Sequence, residues 1–105
     1  MIDDTTVVVI SEMSRTPKLN SNAGKDHWPV TSAMVIGAGV NGGKAYGATN
    51  AGMEAEKVDY ATGAVDNTNG KTLMSASFCA GVLAACGVDP ETHLSGVEVF
   101  DAFVA

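Results

Sequence analysis

Apolar residues in this chain fall into three runs, separated by polar stretches rich in glycine. The first, "TTVVVI" at 5–10, is continuous and β-branched. Such a run suits a strand covered on both faces, as in a parallel sheet. The polar stretch "SEMSRTPKLNSNAGKD" then reads as a long loop. Pro17 and the Asn/Ser/Gly cluster at 20–24 oppose regular structure there. "SAMVIG" at 32–37 is the second strand, ended by "GAGVNGG". Residues 38–52 read as a hairpin or a return along the sheet edge, with a turn at 48–52. Residues 54–71 hold only short elements and a turn-rich "VDNTNG".

The third run, "TLMSASFCAGVLAACG" at 72–87, is the clearest helix. Met74, Phe78, Val82 and Ala85 recur at helical spacing, with Cys79, Leu83 and Cys86 beside them. Thr72 is a candidate N-cap. Gly87 stands where a left-handed C-cap belongs, and Pro90 prevents continuation. "GVDPETHLSG" reads as a surface loop, and "VEVFDAFVA" as a short strand or a turn plus a helical piece. The pattern therefore predicts an α/β class with few strands and one clear helix at about 72–86. A strand covered on both sides needs neighbouring strands and helices, and this chain supplies few. Residues 1–105 are thus expected to be a single partial domain, a portion of a larger α/β domain.

Composition narrows the partners. The chain is 46% hydrophobic and 17% charged, as globular proteins are, and its net charge is −6 with no basic cluster. Nucleic acid and anionic membrane surfaces are not expected partners, because both require concentrated positive charge. No apolar stretch approaches the ~20 residues of a membrane span. Met1 is followed by Asp3 and Asp4, not by the basic region and apolar core of a signal peptide. Localisation stays open. Cys79 and Cys86 lie about 10 Å apart along one helix, too far for a disulfide, and read as buried thiols.

Few residues offer chemistry. Glu12 lies two positions past the first strand, where α/β proteins place ligands. Ser11 and Ser14 flank it, and Arg15 is able to pair with it or to hold an anion. Asp26-His27 combines a carboxylate and an imidazole, both good metal donors. Adjacent side chains diverge in extended backbone, so the two need not bind the same ion, and one can ligate while the other supports it. Trp28 and Pro29 would stiffen that corner. The alternatives stay open at this point: a loop carboxylate paired with Arg15, and a surface Asp-His beside a packed tryptophan. "GAGVNGG" fits the dinucleotide glycine spacing, but no amphipathic helix follows it, so a turn permitting close backbone approach is preferred. His93 sits in a late polar loop and is expected to be exposed. No G-x-S-x-G elbow supports a serine hydrolase.

Two motifs in order carry a resemblance. Ser11-Glu12-Met13-Ser14-Arg15-Thr16-Pro17 and Gly24-Lys25-Asp26-His27-Trp28-Pro29, each beside an apolar strand, resemble the C-terminal part of the DUF1501 family. "LAACGVDPETHLSG" resembles that family's late helix. The family's pattern has Phe-Gly where Met13 and Ser14 stand here. The resemblance implies an alkaline phosphatase- and sulfatase-like superfamily and an α/β/α sandwich. It also implies a divalent metal (Zn, Mn, Mg or Ca) held by Glu12, Asp26 and His27, with Ser11, Arg15 and Trp28 in support. The superfamily's Asp-His pair is absent at the first place, where Ser11-Glu12 stands. The nucleophile and remaining ligands would come from an N-terminal part. The expected function is a partial metal-dependent hydrolase-like domain for phosphate or sulfate esters, inactive as an isolated chain. The alternative is a non-catalytic structural or interaction module. Self-association or an N-terminal partner segment would cover the apolar strand. Relatives of this kind often carry an export signal.

Overall fold

A computed structural model describes all 105 residues. After a short 3-10 turn at Ile2–Asp4 come four strands: β1 (Thr6–Ile10), β2 (Ser14–Arg15), β3 (His27–Trp28) and β4 (Ala33–Gly37). Two helices follow, α1 (Ser75–Ala85) and α2 (Pro90–His93). The architecture is mixed α/β with two small antiparallel sheets and one substantial helix. No helix is long and apolar enough to cross a membrane.

β1 and β4 fall where the apolar runs place them, but their setting differs from expectation. They pair antiparallel, Thr6 opposite Gly37 through Ile10 opposite Ala33. Alternation puts Val7 and Val9 on one face, opposite Ile36 and Met34, and all four are exposed. The expected cover on both faces is absent: the sheet has only two strands, and neither α1 nor α2 packs extensively against it. The other face reaches the core through Val35.

Residues 11–26 also correct the sequence reading. Ser14 pairs with Trp28 and Arg15 with His27, forming a short ladder inside the expected irregular loop. Proline and glycine govern only the tip, so the flanks are free to pair.

α1 begins three residues later than the apolar pattern suggested. Met74 is its N-cap, in extended conformation and without a side-chain cap. Thr72 does not cap it; its carbonyl instead accepts the Tyr60 hydroxyl at 2.8 Å. The C-terminus follows expectation. Gly87 has φ +75°, its N–H donates to the Ala84 carbonyl, and the Val88 N–H donates to Leu83. These two bonds make a Schellman cap. Asp89 then caps α2 through the Glu91 N–H, so a helical turn stands inside the expected surface loop.

The core is small and aromatic. Val58, Phe100 and Phe103 are its buried hydrophobic cluster, with Phe78, Val82, Ala85, Tyr46 and Tyr60 packed around them. Tyr46 and Tyr60 meet Phe100 edge-on, with ring centroids 6.3 and 5.6 Å apart. α1 buries its small side: Ser77, Ala80 and Gly81. A side chain at Gly81 would run into the Phe100 carbonyl, so the closing segment lies directly against the helix backbone. This corrects the expectation for the cysteines. Cys79 and Cys86 are both exposed, because the tail packs on the helix's small residues and not on its thiol side. The final segment is neither a helix nor a named strand; Val104 makes a single bridge to Val40. That bridge brings the tail beside the glycine turn, where a Cβ on Gly39 would strike the Ala85 carbonyl and one on Gly37 the Thr5 carbonyl. Close approach is therefore what those two glycines provide.

Elsewhere the chain is organised by Asn and Asp. The Asn20 side-chain oxygen accepts from the N–H groups of Asn22 and Gly24, while its own N–H donates to Gly24. Asn50 repeats the same pattern with Gly52 and Glu54. The fourth residue of each loop, Ala23 and Met53, takes positive φ. Asp59 and Asp66 head two further loops by accepting from paired N–H groups. Such side chains substitute for backbone partners where no sheet exists.

Candidate functional site

The two sequence motifs meet at the β2–β3 ladder. Arg15 stands directly opposite His27 and Ser14 opposite Trp28. Beyond them the Thr16 N–H donates to the Asp26 carbonyl at 3.0 Å, and the Asp26 N–H donates to the Thr16 hydroxyl at 3.1 Å. Asp26 is thus fixed by backbone on one side. Its carboxylate accepts from Asn20 Nδ2 at 2.9 Å, from within the loop that the ladder closes.

Strand alternation sends Asp26 and Trp28 to one side and Arg15 and His27 to the other. The Asp26 and His27 side chains diverge accordingly, and both are exposed. Arg15 Nη1 donates to the Lys25 carbonyl at 3.3 Å, so the guanidinium holds the loop. Ser11 donates to the Met13 carbonyl at 3.1 Å, and Glu12 is exposed between β1 and β2 without a hydrogen-bond partner. The structure thus joins Arg15, Asp26, His27 and Trp28 through one ladder and leaves Glu12 on the connection leading into it. No three side chains among His, Cys, Asp and Glu gather closely enough to hold a metal ion. The donor types suit a divalent cation, but this chain's own residues do not close a site, and no reaction step follows from them alone.

Trp28 is the most constrained member. Its indole N–H donates to the Met53 carbonyl at 2.8 Å. Met53 holds a left-handed conformation, φ +62°, at the tip of the Asn50 loop. Between them lies an open cavity of about 250 Å³, lined by Thr16, Pro17, Lys18, Trp28, Gly52 and Met53. A second cavity, about 330 Å³, lies beside Val58 and carries Asp59, Lys71, Glu98 and Asp101. Lys71 and Glu98 form an exposed ion pair there. His93 is exposed on α2, as expected.

Sequence reasoning missed Thr16, Asn20 and Met53. Asn20 had a usable signal, since an Asn heading a Ser/Asn/Gly loop offers its side chain to the following N–H groups. Met53 had none, because the partner of the indole lies 25 residues away.

The model of the family described as "Protein of unknown function (DUF1501)" matches residues 1–98. No curated protein and no solved structure matches the chain.

Proposed function

The chain belongs to the DUF1501 family, and on that premise we propose that it is one part of a metal-dependent hydrolase-like domain acting on phosphate or sulfate esters. In this reading the domain is of the alkaline phosphatase-like α/β/α kind, and residues 1–105 are a partial domain without activity of their own. Glu12, Asp26 and His27 are this chain's share of a divalent-metal site. Ser11, Arg15 and Trp28 position them. A metal in such a site polarises the ester oxygens and lowers the pKa of a bound water. This chain's residues contribute orientation: the ladder sets His27, and Asn20 and Thr16 hold Asp26.

The observation supporting this is the ladder itself. It joins the two motifs across the eleven residues between β2 and β3 through paired backbone, the kind of mount on a regular element that a ligand needs. Titration calorimetry with Zn²⁺ and with Mn²⁺ is the test. Weak binding of one ion, reduced at least about tenfold by His27→Ala and by Glu12→Ala, is expected. No uptake, or uptake indifferent to both substitutions, overturns the assignment.

A second reading has its own observation. The uncovered apolar face of β1–β4 suits a non-catalytic structural or interaction module. It predicts no metal uptake together with retained association with other protein.

A further inference from the structure

The largest unexplained feature is the outer face of the β1–β4 sheet. Val7, Val9, Met34 and Ile36 form two adjacent cross-strand pairs there, 39, 53, 54 and 42% exposed. Exposed cross-strand pairs of this kind make a continuous apolar surface. The whole molecule carries the same sign. Its accessible surface is 6950 Å², against about 5,500 Å² for a folded monomer of its mass. Its radius of gyration is 15.2 Å, against about 13 Å for a compact chain of this length. The surplus of about 1,400 Å² is spread over the whole chain, and this face is the part of it where four apolar side chains stand together on paired strands.

Charge selects the occupant. Asp3 and Asp4 precede β1 and Glu12 follows it, all exposed, so both ends of the face are acidic. No Lys or Arg lies within 1–12 or 30–43. A second copy would set acid against acid, in a chain already at −6. A segment with an apolar stripe and basic ends meets both features. β1 is five residues long, about 17 Å, which an α-helix spans in about 11 residues.

We propose that the Val7/Val9/Met34/Ile36 face is the seat of an amphipathic α-helix of about three turns, apolar towards the sheet and basic at its ends, supplied by another part of the domain. This rests on the partial-domain reading above and names the chemistry of the missing layer. The metal titration reads the ladder and not this face, so either can fail alone.

The test uses two synthetic helical peptides with the same leucine stripe, one with lysine and one with glutamate on the remaining positions. Each is titrated, fluorescently labelled, with the full chain and followed by anisotropy. The lysine peptide is expected to bind at least about tenfold more tightly. Val9→Glu is expected to abolish binding. Asp3→Lys with Asp4→Lys, which leaves the apolar face intact, is expected to weaken the lysine peptide and strengthen the glutamate one, with circular dichroism checking that both variants fold. Three results overturn the proposal: equal affinity for the two peptides, binding indifferent to both variants, or a stable homodimer in sedimentation that Val9→Glu dissolves. Uptake by neutral phosphatidylcholine vesicles without selectivity between the peptides would assign the face to lipid instead.

Discussion

Phe100 and Phe103 are 3 and 5% exposed, while Val9 and Met34, comparably apolar, stand 53 and 54% exposed. The first pair belongs to a cluster built by several segments that are distant in sequence. Val58, α1, the two tyrosines and the closing tail all converge on it. The second pair belongs to a sheet of only two strands whose outer face stays about half exposed. Apolar composition alone does not create a core; a second layer does. The aromatic cluster has such a layer, to which the sheet's inner face adds Val35, whereas the outer face of the same sheet stays exposed.

Phe100→Ala should separate the aromatic cluster from the outer sheet face most sharply. Losing a buried aromatic side chain costs about 3–5 kcal/mol. With three residues in the buried cluster, the cooperative thermal transition should vanish in calorimetry. A variant melting within a few degrees of the parent would mean that the aromatic cluster is not what holds the fold.

Asn20→Ala addresses the ladder in the segment that joins β1 to β4. It removes two accepted backbone N–H bonds and the donor to Asp26. The expected cost is about 1 kcal/mol, with faster amide exchange at Asn22 and Gly24 and none of the loss spreading to α1. Unchanged exchange would show that the loop is held by other means.

Val9→Thr should matter least. Threonine keeps the β-branched shape, and the site is exposed, so stability in urea should move by no more than about 0.5 kcal/mol. A loss above about 1 kcal/mol would mean that the outer face is covered in the free protein, and the contrast between the aromatic cluster and that face would fall.

Much of this chain was legible in local pattern. β-branched runs mark β1 and β4, because they suit extended backbone wherever it lies. Gly87 marks the end of α1, because a left-handed cap tolerates few other residues. The polar turns at 20–24, 48–52 and 65–70 fall where Asn and Asp head hydrogen-bonded loops. The two motifs around Glu12 and His27 also identified the family that matches residues 1–98.

What the pattern did not contain was which surfaces meet. α1 carries apolar residues around much of its circumference, so periodicity favoured the line from Met74 to Ala85. Tail packing at Gly81 decided the matter and left Met74, Cys79 and Cys86 in solvent. The pairing of Arg15 with His27 and the bond from Trp28 to Met53 join positions 12 and 25 residues apart. Local propensity is set by each residue and its neighbours in sequence, and it determined the strands, the helix stop and the turns of this protein. Burial and side-chain direction depend on what arrives from elsewhere in the chain, so only the tertiary structure decided which apolar residues became a core and which stayed a surface.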